Sequence, residues 1–149
     1  NAPIKEWEND VETIGSIHPA RLSNITSSNS KYKTLITTIS GVRDEVISSL
    51  KEKNIIDFGI EYSQEVSDKV QFHETGITTS VPNILSYLLG YAISSGAKNV
   101  YLAGLDGYDG LSKQFTETNQ ILTKASNYID IKLLTESFYN LDIENIYGE

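Results

Sequence analysis

The residues best suited to chemistry lie in two loops that are rich in small and polar side chains. Residues 75–83 form a Gly/Ser/Thr-rich segment that precedes an apolar stretch, and residues 104–110 form an acidic, glycine-rich segment that follows a short apolar run. Free backbone N–H groups at a helix start favour an anionic ligand, and a carboxylate at a strand end accepts hydrogen bonds from ligand hydroxyls. We therefore predict a ligand site formed by Gly76, Thr79, Ser80, Asn83, Asp106, Gly107, Tyr108 and Gln114.

Each of these features also has a purely structural interpretation. The Asp-Gly pairs at 106–107 and 109–110 are strong turn formers, and the 75–83 loop could be no more than a well-capped helix start. Gln114 could be an ordinary helix residue. Asp106 and Asp109 together are a minimal set for Mg²⁺, so we predict no metal site. The 75–83 loop matches neither a phosphate-binding P-loop nor G-x-G-x-x-G, and no G-x-S-x-G serine elbow occurs.

Two histidines are the candidates for acid–base catalysis. His73 directly precedes the first loop, and His18 ends the first predicted strand at Pro19. A histidine titrates near pH ~6.5 when unperturbed and could act as acid or base, although a solvated loop position is the commoner role. Two histidines without cysteine do not form a zinc site, which needs about three protein ligands.

The elements that must position these residues alternate between strands and helices. β-Branched and apolar runs predict strands at 11–17, 32–39, 55–62, 99–104 and 131–135, with a short further strand at 70–73. Helical periodicity predicts helices at 40–53, 80–95 and 113–128. We expect Ser80 or Thr79 to cap the second helix, with Pro82 in its first turn.

This alternation predicts an α/β fold, a single Rossmann-like three-layer sandwich with a mostly parallel sheet of about five strands. Residues 99–104 are the expected central strand, covered on both faces. We expect residues 1–10 to be a tag remnant and lead-in, and residues 11–149 to be a single α/β domain. Because the chain contains no methionine, we expect it to be excised from a longer protein.

Composition narrows the partners. A net charge of -8 over 149 residues repels nucleic acid and anionic membranes, so we expect neither as a partner. No stretch approaches the ~20 apolar residues of a membrane span, and no signal peptide is evident at the start. We therefore expect a cytoplasmic location.

Residues 76–136 resemble the C-terminal domain of bacterial HMG-CoA lyase-like or 4-hydroxy-2-oxovalerate aldolase-like proteins. The resemblance rests on the blocks 76–83, 96–108, 119–122 and 134–136, together with Gln114. The same central block is remotely similar to the 6-hydroxymethylpterin diphosphokinase-like family and to sialyltransferases that use CMP-sialic acid. Of the predicted site, only Asp106 and the helix start at 80–83 align with these patterns.

The resemblance implies a ligand-binding or regulatory domain of a larger aldolase-like enzyme, which does not catalyse aldol cleavage alone. It implies no cofactor in this chain, a divalent metal in a missing barrel of the parent, and the parent's catalytic domain as a partner. The ligand would be a small molecule, nucleotide-like or sugar-like. Two alternatives stay open: a small phosphoryl or glycosyl transferase with His73 or His18 as base and Asp106 holding the donor, and an oligomerisation module of the parent that forms homo-oligomers.

Overall fold

The chain divides into two compact units, which are described separately below. In the computed structural model, unit 1 spans Asn1–Ile60 and unit 2 spans Glu61–Glu149. The structure describes residues 11–18, 21–22, 32–40, 42–50, 53–107 and 110–145. The prediction of one α/β domain over residues 11–149 concerns the association of these units, and it stays a prediction.

Unit 1 is a small parallel sheet with one described helix between its second and third strands. Its strands pair in the order β1-β2-β3, and both pairings are parallel. The core is an apolar cluster of Leu22, Tyr32, Leu35 and Leu50, whose burial drives the association of these elements. The elements are β1 (Thr13–Gly15), β2 (Thr34–Thr37), α1 (Asp44–Ser49) and β3 (Asn54–Asp57).

β4 begins at Gly59 in unit 1 and ends at Tyr62 in unit 2, which contains all later elements. β6 lies between β4 and β5 in one sheet and runs antiparallel to β5, whereas β7 and β8 form a separate parallel pair connected through α3. The elements are β4 (Gly59–Tyr62), β5 (Val70–Phe72), β6 (Gly76–Thr79), α2 (Ile84–Ser94), β7 (Asn99–Leu102), α3 (Lys113–Ala125) and β8 (Asp130–Leu133).

Alternation and helical periodicity explain which surfaces of unit 2 are buried. Val70, Ile77 and Thr79 are almost fully buried on the face of the sheet that packs against α2, whereas Gln71 on the opposite face is exposed. The buried residues of α3 are spaced as expected for one helical face and comprise Thr118, Ile121, Leu122 and Ala125.

The predicted single three-layer sandwich with a five-stranded sheet is wrong. The described strands form three small sheets of three, three and two strands, and one of these sheets is mixed. The physical reason lies in β6, which the sequence interpretation took for a loop. Because both edges of β6 are hydrogen-bonded, to β4 and to β5, β7 cannot pair with it and instead pairs with β8.

Two local expectations also need correction. β7 is not covered on both faces, because Asn99 and Tyr101 are exposed and Val100 and Leu102 are only half-buried. The predicted strand 55–62 is interrupted at Phe58, whose N–H donates to the Thr37 carbonyl, so it becomes β3 and β4. Within the described ranges, no helix combines the length and the apolar character that crossing a membrane requires.

The loop before β5 contains the one described non-glycine residue with a positive φ. Lys69 has φ 67°, and its carbonyl accepts hydrogen bonds from Ser80 N (3.0 Å) and Thr79 Oγ1 (2.8 Å). These two bonds hold Lys69 in the left-handed region, which costs a side-chain-bearing residue about 1–2 kcal/mol.

We predict that Lys69→Gly raises the free energy of unfolding by up to about 1 kcal/mol. Glycine removes the left-handed strain but adds freedom to the unfolded chain, which offsets part of the gain. The matched control is Lys98→Gly, at a position without a positive φ, where we expect a loss of about 0.5–1 kcal/mol. The free energy of unfolding of both variants is measured by urea denaturation. Equal destabilisation of the two would contradict the claim that the backbone of Lys69 is strained.

Candidate functional site

Asn83, rather than Ser80 or Thr79, caps the helix that begins the predicted ligand loop. Its Oδ1 accepts a hydrogen bond from Leu85 N (2.8 Å), and its Nδ2 donates to Thr118 Oγ1 on α3 (3.3 Å). α2 therefore starts at Ile84, and Pro82 lies before the cap instead of in the first turn. The expectation that Ser80 or Thr79 caps this helix is wrong, because both precede a further turn that ends at Asn83.

Gly76 and Thr79 of the first loop belong to β6 and make hydrogen bonds within or next to its sheet. The Thr79 hydroxyl is fully buried and bonded to the Lys69 carbonyl, and Gly76 accepts from His73 N (2.9 Å) in the turn between β5 and β6. Ser80 Oγ is buried and has no hydrogen-bond partner within the described residues. A buried hydroxyl without a partner is energetically costly, so Ser80 has unused hydrogen-bonding capacity at the start of the α2 segment.

The second loop is held by hydrogen bonds from the segment after β8. Gly104 N donates to Thr135 Oγ1 (3.0 Å), Ser137 Oγ donates to the Leu105 carbonyl, and Phe138 N donates to the Asp106 carbonyl (3.2 Å). These bonds fix the backbone of Asp106, while its side chain is exposed. The predicted site residue Tyr108 and its neighbour Asp109 lie outside the described residues.

A chain of contacts joins the two loops on one side of unit 2. Thr118, which bonds to Asn83, lies one helical turn after Phe115 on α3. The Phe115 ring stacks on Tyr139 with ring centroids 5.0 Å apart and planes at 8°. A Cβ atom at Gly107 would lie 3.3 Å from Tyr139 Cε2, so this ring reaches the second loop. The structure thus brings Asn83 and Gly107 to the same helix, with Thr118, Phe115 and Tyr139 between them.

Gln114 and the buried Tyr139 border the same region. Gln114 is exposed in the first turn of α3, two residues after the N-cap Ser112. Tyr139 is only 3% exposed, and its hydroxyl has no hydrogen-bond partner in the part of the chain that the structure describes. Sequence analysis missed Tyr139 because no pattern in residues 136–140 indicates that this tyrosine stacks on α3, which lies earlier in the chain.

The two histidines take no part in this chain of contacts. His73 Nε2 is 2.9 Å from Thr78 Oγ1, which in turn donates to Glu61 Oε2 at 3.5 Å. Because Thr78 pairs with Gln71, this group occupies the sheet face opposite α2. His18 belongs to unit 1, where its N–H donates to Ser16 Oγ (3.5 Å).

Unit 2 also contains a polar groove that sequence analysis did not identify. Its cavity volume is about 340 Å³. Lys124 and Asp68 form an ion pair across it at 3.0 Å, and the hydrogen bond that Lys124 Nζ donates to Asp68 Oδ2 lowers the pKa of Asp68 and raises the pKa of Lys124. The groove is lined by Ser67, Asp68, Asn119, Gln120, Thr123, Lys124 and Asn127.

No group of three or more histidine, aspartate or glutamate side chains within the described ranges could hold a metal ion. Comparison of the chain with family models, with curated proteins and with solved structures finds no match. The geometry of unit 2 and the chemistry of its side chains are therefore the basis for the functional argument.

We predict that Asn83→Ala lowers the free energy of unfolding by about 1.5–3 kcal/mol, since it removes both the N-cap and the bond to Thr118. Asn83→Asp keeps the cap oxygen and loses only the donor to Thr118, so a smaller loss of stability is expected.

The matched control is Ser112→Ala, which removes the α3 cap bond to Phe115 N alone and should cost about 1 kcal/mol. A double-mutant cycle with Thr118→Ala, measured by chemical denaturation, should give a coupling of about 0.5–1.5 kcal/mol; zero coupling would contradict the link.

We predict that Gly107→Ala destabilises unit 2 more than Gly104→Ala. Both glycines have a positive φ, 95° and 67°, so alanine is strained at both and should cost about 1–2 kcal/mol. Only at Gly107 would the new Cβ meet packed atoms, Phe138 Cβ at 3.2 Å and Tyr139 Cε2 at 3.3 Å, whereas nothing lies within 4 Å at Gly104. Thermal unfolding measures both variants, and identical losses would show that the Tyr139 contact contributes nothing.

Proposed function

We propose that this chain is a ligand-binding or regulatory domain whose ligand is a small nucleotide-like or sugar-like molecule. The observation that supports the proposal is the chain of contacts from Asn83 through Thr118, Phe115 and Tyr139 to Gly107. These contacts connect the start of α2 and the loop after β7 to the same side of α3. The predicted fold also brought these two loops together, but that fold is wrong.

The chemistry of the two loops is complementary to a hydroxyl-rich ligand. The start of α2 offers backbone N–H groups with the positive end of the helix dipole. Across the contact chain, the exposed Asp106 carboxylate accepts hydrogen bonds, and its backbone is fixed by Phe138. Donors on one side and an acceptor on the other suit a molecule that carries both an anionic group and hydroxyls.

The wider role follows from the resemblance to aldolase C-terminal domains. We propose that the domain serves a larger aldolase-like enzyme in the cytoplasm and binds its ligand without cleaving it. A divalent metal, where the parent uses one, would belong to the parent's barrel. The net charge of -8 argues against nucleic acid and anionic membranes as partners.

The transferase alternative receives less support. It requires His73 or His18 near the donor held by Asp106. The ring of His73 is bonded to Thr78 on the sheet face opposite α2. Binding without turnover is therefore the stronger proposal.

The test is an amide-shift titration by NMR with nucleotides, nucleotide sugars and keto acids. We expect saturable shifts at residues 80–86 and 104–107 with at least one of these classes. Asp106→Asn replaces the anionic acceptor by a neutral amide and should weaken binding about five- to tenfold. Asp130→Asn is the matched control, because Asp130 is equally exposed but starts β8 at the other end of the β7–β8 pair. The absence of saturable shifts with all three classes of ligand, or an equal effect of both variants on binding, would refute the proposed site.

A further inference from the structure

The polar groove between α3 and the loop before β5 differs from the proposed ligand site in position and in chemistry. It lies on the outward face of α3, whereas Phe115 and Thr118 point to the other site from the inward face. Its volume of about 340 Å³ falls within the range of about 300–1,000 Å³ that small-molecule sites occupy. All seven residues that line it carry polar or charged side chains, which restricts the class of ligand.

Four side chains in the groove are available for hydrogen bonding. Asn119, Gln120, Thr123 and Asn127 are exposed, and their side chains make no hydrogen bond to other described residues. An amide group both donates and accepts, and so does a hydroxyl. Asn119 and Gln120 lie four and three residues before Thr123 on one face of α3, and Asn127 follows in the turn after the helix end at Ala125. These groups can therefore bind a single ligand together.

The charge of the groove is balanced. Its cation, Lys124, is paired with its anion, Asp68, at 3.0 Å, and no other charged side chain lines it. An anionic ligand would have to compete with Asp68 for Lys124, and a cationic ligand would have to compete with Lys124 for Asp68. A neutral ligand leaves this pair intact and uses its remaining donor and acceptor positions.

An aromatic residue adjoins the groove in sequence, although it does not belong to the groove lining. Tyr128 directly follows Asn127 in sequence and is 57% exposed, and its ring is fixed by an edge-on contact with Phe72 at a centroid distance of 5.7 Å. A fixed, half-exposed tyrosine offers an apolar surface with a polar tip. Sugars present the complementary combination, with axial C–H groups on one face and hydroxyls around the edge.

We propose that this groove binds a neutral carbohydrate, with the amides of Asn119 and Asn127 bonded to its hydroxyls. The site is open and its hydrogen bonds exchange with water, so the affinity is weak, with a dissociation constant on the order of 1 mM. The proposal is independent of the ligand site at Asp106.

The experiment is an amide-shift titration of the full chain with two neutral sugars, cellotriose and N,N′,N″-triacetylchitotriose, and with glucuronic acid as the charged comparison. We expect saturable shifts at residues 67–68 and 119–128 with at least one neutral sugar. Asn127→Ala should weaken binding at least about fivefold. Asn99→Ala, an exposed asparagine on β7 outside the groove, is the matched control and should leave the affinity unchanged.

A second pair of variants tests the ion pair. Lys124→Met leaves Asp68 unpaired in the groove and should weaken binding about threefold, whereas Lys132→Met breaks the Lys132–Glu144 pair outside the groove without effect. Asp106→Asn should leave the groove shifts unchanged, which separates this proposal from the previous one. No saturable shift with either neutral sugar, binding of glucuronic acid alone, or equal effects of Asn127→Ala and Asn99→Ala would overturn it.

Discussion

The candidate site in unit 2 depends on the hydrogen bond that Asn83 Nδ2 donates to Thr118 Oγ1. The same side chain caps α2 through Oδ1, so one residue both ends the loop after β6 and attaches the start of α2 to α3. Thr118 is 3% exposed, and a buried hydroxyl without this bond would carry a desolvation penalty. The position of the α2 start relative to Phe115 and Tyr139 therefore follows from one amide side chain that satisfies two requirements.

The second constraint on the fold is that both edges of β6 are already paired with other strands. A strand with neighbours on both edges offers no edge for a further pairing, so the β7–β8 pair forms its own sheet, extended by the bridge between Leu133 and Ile143. Such a pair exposes one face, and Tyr101 is accordingly 50% exposed. The loops after β7 and β8 still come together, because Leu134 N donates to the Leu102 carbonyl and the following hydrogen bonds continue to Phe138.

Local patterns predicted the elements better than their assembly. The apolar spacing of α3 and the apolar run of β7 located both elements, because periodicity depends only on neighbouring residues. β6 was missed since Gly76 and the two threonines have the composition of a turn, and its pairing with β5 depends on a tight turn at His73 and Gly76. The groove was missed because Asp68 and Lys124 are distant in sequence, and no periodicity reports such a contact.

α3 supports both proposed sites, and its two faces do so by different means. The inward face is fixed by the stack of Phe115 on Tyr139 and by the bond to Asn83, so the groups of the first site are held before a ligand arrives. The outward face carries Asn119 on a helix that is already ordered by this packing, and Asn127 follows in the turn after the helix, which leaves mainly side-chain rotamers to be fixed on binding. Preorganisation of the backbone reduces the entropy lost on binding. In a shallow polar groove each hydrogen bond to the ligand replaces one to water and therefore contributes little. Such a groove depends on the reduced entropy loss more than an enclosed pocket does.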